Sequence, residues 1–325
     1  MKTPGKYISL LLIALIMLAC DEPFTPKGPF EQKMAVFAIL STNADTQYVR
    51  LFRSFDPPGF NPDETTEGRM IKVAAVTVAQ NGRTTQYRVN ALPRTDTSNL
   101  SGDMIAYVAA PFRPEGGKTY ELSVKTETDG NLSATIAVPD TGWIRCLNPW
   151  AMSISRVLYD RTKNEDIAVQ ANISSGATGY MVQFYIEFSA LKGSEWVAMR
   201  MEIPNRAYAI DSTIISYGYP ILMRRSTYPG LPHEHQVQGA TFSVDAYRQK
   251  LKELLSTYGN NLLIHLALFI QTQVEENLYK YYNIANGFQD PRSVRMDTPD
   301  WTNINGGLGL FGAVVQDSAY VENID

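Results

Sequence analysis

The sequence predicts a mainly β protein, with an N-terminal immunoglobulin-like β-sandwich at 34–139 and a second β-rich domain at 140–325. In the first region, short runs of β-branched and aromatic residues alternate with turn signals. The second region contains longer apolar runs and one or two helical segments, near 243–258 and 275–285. The chain has 325 residues, 44% of them hydrophobic, which is enough for two domains that each have a hydrophobic core.

The turn signals divide the first region into short strands. Asn81-Gly82 is the strongest short hairpin signal, and Asp129-Gly130 indicates a second tight hairpin. Seven short strands joined by such turns favour an immunoglobulin-like sandwich, although the Cys–Trp–Cys core of antibody domains is absent. The predicted strands are 34–40, 47–55, 71–79, 84–89, 104–109, 119–126 and 132–138.

The second region begins after the Pro-Asp-Thr-Gly stretch at 139–142. Its principal helix is predicted at 243–258, where Ser243 or Asp245 caps the start and Gly259 ends the helix. A shorter helix is expected at 275–285, with acidic residues at its N-terminus. Strands are predicted at 167–173, 179–191, 195–202, 206–223, 261–270 and 308–316, with a loop at 224–238.

The N-terminus has the features of a lipoprotein signal. Two lysines precede an apolar run at 7–18, which is too short for an ordinary membrane span. Ala19 then precedes Cys20, which supplies the thiol that carries a lipid. We therefore expect a signal peptide at 1–19, lipidation of Cys20, a proline-containing tether at 20–33 and membrane attachment through the lipid. The alternative is an ordinary signal peptide with an accidental cysteine.

Charge and cysteine content argue against a nucleic-acid partner and against a disulfide. The net charge of −4 and the isoelectric point near 5.5 argue against a nucleic-acid partner, which requires a basic face. After Cys20 only Cys146 remains, so no disulfide forms within the mature chain, and Cys146 is expected to be a buried thiol. The sequence indicates no cofactor.

Several motifs resemble those of a known family. The segment QYVRLFRS at 47–54, the segment GKTYELSV at 117–124 and the closing segment TNINGGLGLFGA at 302–313 stand in the same order behind a lipoprotein cysteine. In these features the chain resembles the Bacteroidota envelope lipoproteins of the domain of unknown function 4249 family. The resemblance implies a two-domain, mostly β lipoprotein that assists a TonB-dependent receptor of the outer membrane in nutrient uptake. It implies no catalytic residues.

The glycines of the closing segment need a separate interpretation. Gly306, Gly307 and Gly309 lack the last glycine of a dinucleotide-binding loop and its strand–turn–helix context. We interpret them as a tight turn that enters a strand.

Tyrosines are the best candidates for binding residues. Tyr217, Tyr219 and Tyr228 cluster with Tyr208 in a stretch of the second domain that also contains proline and glycine. Exposed aromatic rings bind sugars, peptides or partner proteins at low entropic cost. The alternative is that these rings fill the core of a β-rich domain.

Histidines provide the only candidate for a metal site. His233 and His235 would point to the same face of an extended segment. A zinc site needs three or four ligands, and the sequence identifies no third, so we expect no metal. His265 lies in an apolar run and is expected to be a core or interface residue.

Three hypotheses follow for the function. The first is a non-enzymatic, lipid-anchored outer-membrane protein that faces the cell surface and assists an outer-membrane receptor; the periplasmic face is the alternative location. The second is a surface protein that binds a glycan or a peptide. The third is a surface hydrolase, which would need convergent acids or a metal in the second domain.

Overall fold

A computed structural model of the chain describes residues 29–55, 69–93, 104–160, 165–210, 213–226, 237–287, 301–322 and 324. Strands dominate this part of the chain, and the prediction of a mainly β protein is confirmed. The strands are β1 (Met34–Ser41), β2 (Gln47–Arg53), β3 (Ala75–Gln80), β4 (Arg83–Leu92), β5 (Met104–Ala109), β6 (Thr119–Lys125), β7 (Asn131–Ala137), β8 (Trp143–Cys146), β9 (Ile167–Asn172), β10 (Gly179–Lys192), β11 (Glu195–Ile203), β12 (Arg206–Ile210), β13 (Thr213–Gly218), β14 (Met223–Arg224), β15 (Val237–Phe242), β16 (Leu262–Val274) and β17 (Leu308–Glu322).

The α-helices of the described residues are α1 (Ile154–Tyr159), α2 (Val244–Tyr258) and α3 (Glu276–Gly287), with 3₁₀ turns at Pro149–Met152 and Gly259–Asn261. Ser243 caps α2, because its Oγ accepts a hydrogen bond from the amide of Ala246 at 3.3 Å. Gly259 ends α2 at a φ of 54°, so both predicted ends of this helix are confirmed. None of the helices within the described ranges has both the length and the apolar character needed to cross a membrane.

In the first half of the chain, the sheet follows the order β1-β2-β5-β4-β3-β6-β7. Strand β4 pairs with β3 through its first residues and with β5 through its last. The sheet closes on one core, which includes Val36, Leu51, Val78, Leu122 and Ile136. In β2, β6 and β7 the buried positions alternate with exposed or partly buried ones, as a half-buried sheet requires. The immunoglobulin-like connectivity stays a prediction.

The hairpin predicted at Asn81-Gly82 is confirmed. Asn81 has a φ of 48° and Gly82 a φ of 78°, the positive values of a tight two-residue hairpin turn. This turn joins β3 to β4, with Gln80 directly opposite Arg83.

In the second half, the order β11-β10-β16-β17 continues the same sheet, and β14 adds to the end of β10. A three-stranded sheet of order β15-β9-β8 forms a separate layer. Phe184 of β10 lies at the centre of the second core, 4.8 Å from Phe269, 5.5 Å from Phe242 and 5.4 Å from Tyr247, measured between ring centroids. These rings link β10 and β16 to β15 and to α2.

Strand β17 connects the two halves of the molecule. Its first residues, from Leu308 to Val314, pair in parallel with β1, and its later residues pair antiparallel with β16. Ile304 and Phe311 are buried in the first core, although they lie more than 160 residues beyond the predicted boundary at 139/140. The C-terminal segment thus completes the first core, and β17 extends past the predicted end at 316 as far as Glu322.

The glycine segment before β17 forms the predicted tight turn. Gly306 has a φ of 85°, and a Cβ atom added there would lie 2.5 Å from the carbonyl oxygen of Asn131. Asn305 pairs with Ser133 of β7 through two backbone hydrogen bonds of 2.8 and 3.1 Å. The turn therefore needs glycine both for its backbone conformation and for its close approach to β7.

Candidate functional site

The second half of the molecule contains a cavity of about 700 Å³, named here the tyrosine cleft. The β12–β13 hairpin and the segment that follows it form one wall, and β15 forms the other. Its size falls in the ordinary range of ligand sites. The lining residues are Asp166, Val182, Asn205, Arg206, Ala207, Tyr208, Gly218, Tyr219, Pro220, Ile221, Met223, Gly239, Ala240, Thr241, Phe242 and Ser243.

The rim of the tyrosine cleft consists of large side chains that remain exposed. Tyr208 is 48% exposed, Tyr219 45%, Ile221 67% and Met223 40%. The ring of Tyr208 lies over Gly218, where an added Cβ would be 3.4 Å from the ring edge. A glycine at 218 thus leaves room for this aromatic ring on the hairpin.

Polar groups surround the end of the cleft nearest α2. Asp166 Oδ1 accepts a hydrogen bond from the amide of Val244 at 3.0 Å, which fixes the carboxylate at the N-terminus of the helix. The amide of Ser243 donates to the carbonyl oxygen of Asn205 at 3.1 Å. Arg206 is exposed beside them, so the cleft carries charges of both signs.

Tyr217 does not line the tyrosine cleft but anchors the hairpin to α2. Its hydroxyl donates to Glu253 Oε1 at 2.9 Å, and Lys250 Nζ lies 4.4 Å from the centroid of its ring. Burial, together with the hydrogen bond to Glu253, raises the pKa of Tyr217 to about 12. The hydroxyl is therefore neutral at physiological pH and acts as a donor.

Of the remaining predicted site residues, some line the cleft and others lie outside the described part of the chain. Tyr219 lines the cleft, as does Tyr208 from the same predicted cluster. Tyr228, His233, His235 and the lipidation candidate Cys20 all lie outside the described residues. Within the described ranges, His, Cys, Asp and Glu form no group of three or more that could hold a metal ion.

Cys146 and His265 are two further residues whose surroundings the structure describes. Cys146 is partly buried against the second core, and burial raises the pKa of its thiol, which makes it a poor nucleophile. His265 is exposed near the start of β16, so the core alternative for this residue is wrong and the interface alternative stays a prediction. Its Nε2 lies 2.7 Å from Ser189 Oγ on the adjacent strand, so the ring is hydrogen-bonded.

Sequence reasoning missed the wall formed by β15. The end of the predicted loop at 224–238 overlaps this strand, and the helix was expected to begin directly after 242. The burial of β15 alternates along the strand, but the segment VQGATF does not show it, because the exposed position 237 is valine and the buried position 238 is glutamine. Asp166 was missed because its role depends on an amide 78 residues away in the chain.

Comparisons with known proteins provide the family and little else. No curated protein sequence matches the chain. One solved structure that matches is the C-terminal globular domain of the oligosaccharyltransferase from Pyrococcus abyssi, with 14% sequence identity and a TM-score of 0.21. The match covers 72% of this chain and 45% of that one, so it spans less than half of the oligosaccharyltransferase domain. A likeness this weak carries no argument about fold or function.

A family model, by contrast, matches almost the entire chain. The model describes a domain of unknown function and matches residues 21–319. The match includes the first core, the tyrosine cleft, most of the second core and most of β17. The chain therefore belongs to the domain of unknown function 4249 (DUF4249) family.

Proposed function

We propose that this protein is a lipid-anchored, non-enzymatic binding protein of the outer membrane. In this proposal it faces the cell surface and assists an outer-membrane receptor in nutrient uptake. The tyrosine cleft holds a ligand of glycan or peptide chemistry for transfer to that receptor. The signal-like N-terminus and Cys20 support the anchoring, and the order of motifs supports the link to a TonB-dependent receptor.

One observation carries the binding role. Four large aromatic and apolar side chains remain 40–67% exposed around a single concavity, instead of entering the adjacent core. Exposed apolar groups that converge on a concave surface are typical of binding sites. The polar groups of Asp166, Asn205 and Arg206 at one end would orient the ligand.

The anchoring is tested by growth with labelled palmitate. The wild-type protein should incorporate label and sediment with membranes, whereas Cys20→Ser should do neither. An unlabelled wild-type protein in the soluble fraction would contradict the proposal. Protease treatment of intact cells then tests orientation, since a protein on the cell surface is degraded and a periplasmic one is protected.

The binding role is tested by recovery of the receptor from detergent-solubilised membranes. Tyr219→Ala removes a rim side chain of the cleft and should lower recovery of an outer-membrane receptor at least tenfold. Tyr159→Ala is the matched control, because Tyr159 is an 83% exposed tyrosine on α1, outside the cleft lining. Equal recovery with both variants would show that the tyrosine cleft has no part in capture of the receptor.

A further inference from the structure

Two strand edges border the tyrosine cleft. Strand β15 is the outermost strand of its three-stranded sheet, and β12 pairs with β13 alone among the described strands. The cleft is lined by consecutive residues of each strand, 239–243 on one side and 205–208 on the other. Consecutive residues contact the same space when a strand presents its edge, because alternate side chains point to opposite faces.

The hydrogen bonds of β9 establish which backbone groups of β15 face this space. The amide of Leu147 donates to the carbonyl oxygen of Ala168 at 2.8 Å, so the polar groups of Ala168 point away from β15. In an antiparallel ladder this direction alternates, and the groups of Ile167 therefore point toward β15. Ile167 is opposite Phe242, whose backbone groups bond to β9.

The same alternation places the N–H and C=O groups of Gly239 and Thr241 on the open edge of β15. The hydrogen bond from the Ser243 amide to the Asn205 carbonyl oxygen agrees with this alternation. Ser243 lies two residues beyond Thr241, so the backbone groups of both residues point to the same side. An antiparallel ladder continuing from that bond would place Thr241 opposite Ala207. No backbone hydrogen bond joins these two residues, and the cleft opens between their strands.

A local irregularity accompanies the divergence of the two strands. The register of β12 against β13 shifts between Tyr208 and Ala209, which is a β-bulge or irregularity of the hairpin. Bulges bend a strand and increase its twist, and this one lies next to Ala207, where β12 is not paired with β15. The single hydrogen bond between Ser243 and Asn205 thus closes one end of the space between two splayed edges.

As far as the described residues go, the edge of β15 lacks the usual protection against strand addition. Natural edges carry lysine, proline or a bulge, but the residues of β15 are uncharged, include no proline and pair in unbroken register with β9. Gly239 has no side chain, and a Cβ added there would meet nothing within 4 Å. The space on this side of Gly239 is therefore free of other described atoms, with or without a Cβ.

We propose that the tyrosine cleft binds an extended peptide segment, which adds as a β-strand to the open edge of β15. Alternate residues of this edge present paired donors and acceptors about 6.6–6.8 Å apart, a repeat that an extended peptide matches and a glycan does not. The segment would extend the ladder from the Ser243–Asn205 hydrogen bond, while Tyr208 and Tyr219 contact its side chains. This inference rests on the proposed binding role of the cleft and specifies the class of ligand.

The test uses the full chain in detergent and a pool of synthetic random-sequence heptapeptides. Peptides retained by the wild-type protein are identified by mass spectrometry, and the dissociation constant of the tightest is measured. Gly239→Pro removes the amide that faces the cleft and should weaken binding at least tenfold. Gly239→Ala keeps that amide and should bind within twofold of wild type. Equal urea midpoints of the two variants establish that both are folded.

A second measurement needs no variant. Addition of the retained peptide to the wild-type protein should slow hydrogen exchange at the amides of Gly239 and Thr241 at least tenfold. A copy of the peptide with N-methyl groups on alternate amides should not bind. Unchanged exchange at both amides would overturn strand addition even where Gly239→Pro fails to fold.

The outcomes separate this inference from the proposed function. Retention of a pool of glucan hexasaccharides in place of the peptides would overturn the peptide assignment and leave the binding role intact. Peptide binding that is equal in Gly239→Pro and Gly239→Ala would overturn strand addition alone. If neither pool is retained and Tyr219→Ala recovers the receptor as well as wild type does, both proposals fail.

Discussion

A Cβ atom on Gly309 would overlap the carbonyl oxygen of Val36, so only glycine fits where β17 begins its parallel pairing with β1. Gly309 also has a φ of 112°, which L side chains rarely adopt. Val36 is fully buried in the first core, and its strand has little freedom to move away. The close approach of β17 to β1 at this position therefore requires glycine.

Gly309→Ala should therefore destabilise the protein strongly. Gly130 is a matched control, because it has a φ of 98° and a Cβ added there meets nothing within 4 Å. We expect Gly130→Ala to cost about 1–3 kcal/mol of backbone strain and Gly309→Ala to cost roughly 1–3 kcal/mol more through overlap with Val36. Urea unfolding measures both. Equal losses would show that β1 moves aside and that the close approach is not required.

The hydroxyl of Tyr217 should contribute to the stability of the β12–β13 hairpin. Tyr217→Phe removes its hydrogen bond to Glu253, which should lower the free energy of unfolding by about 1–2 kcal/mol at pH 8. Tyr208→Phe, in the same hairpin, is the control, because the Tyr208 hydroxyl forms no hydrogen bond with any described residue.

The contribution of the same hydrogen bond to stability should decrease at high pH. The folded-state pKa of Tyr217, about 12, exceeds the unfolded value near 10, so its contribution is complete below pH 10 and is lost as the pH rises through the folded value. The difference between wild type and Tyr217→Phe should therefore shrink between pH 10 and 12. A constant difference over this range would mean that the tyrosine ionises without affecting folding.

The sequence-based predictions were correct where the interactions join residues close in the chain, and they missed features that depend on residues far apart in the chain. The Asn81-Gly82 turn and the ends of α2 at Ser243 and Gly259 depend on neighbouring residues, and each was predicted correctly. The pairing of β17 with β1 joins residues more than 270 positions apart, and nothing in either strand alone specifies that partner. The tyrosine rim was predictable in part, because aromatic residues clustered in one stretch. The second wall of the cleft was not, because β15 is recognisable only from its pairing with β9.

The ion pair between Arg53 and Asp129 should stabilise the first half of the molecule at neutral pH. Two hydrogen bonds of 2.5 and 2.7 Å join the guanidinium on β2 to the carboxylate in the β6–β7 turn. The hydrogen bond from Arg53 lowers the pKa of Asp129, so this contribution is present above the unfolded pKa and is lost as the pH falls. Because both side chains retain some exposure, Asp129→Asn should cost only about 1 kcal/mol at pH 7.

That cost should shrink as the pH falls from 7 toward 2, because the carboxylate of wild type becomes protonated and loses its ion pair. Asp45→Asn is the control, since Asp45 is exposed and forms no ion pair with a described residue. Urea midpoints at pH 7 and pH 2 measure the difference for each variant. A loss of stability in Asp129→Asn that is the same at both pH values would assign it to the turn, and not to the ion pair with Arg53.

Glu275, at the start of α3, should show the opposite pH dependence. Its side chain is 4% exposed, and its carboxylate accepts hydrogen bonds from the amides of Asn277 at 2.6 Å and Leu278 at 2.7 Å. Burial raises the pKa of Glu275 although these donors oppose it. A carboxyl with a raised folded-state pKa contributes its full stability below the unfolded value, and this contribution falls as the pH rises through the folded value.

Glu275→Gln retains an oxygen acceptor for the helix N-terminus and carries no charge. The variant should therefore gain stability relative to wild type as the pH rises from 4 to 7, and urea midpoints across this range measure the gain. Glu276→Gln removes an exposed carboxylate one residue further along, together with its ion pair to Lys280, and so measures the loss of a charge at the same helix end without burial. If the urea midpoint of Glu275→Gln instead falls further below that of wild type as the pH rises, the ionised carboxylate stabilises the protein by capping α3 more than its burial destabilises it. Glu275 would then hold α3 against β17 as a charged cap, since its amide also donates to the carbonyl oxygen of Ala313 at 3.3 Å.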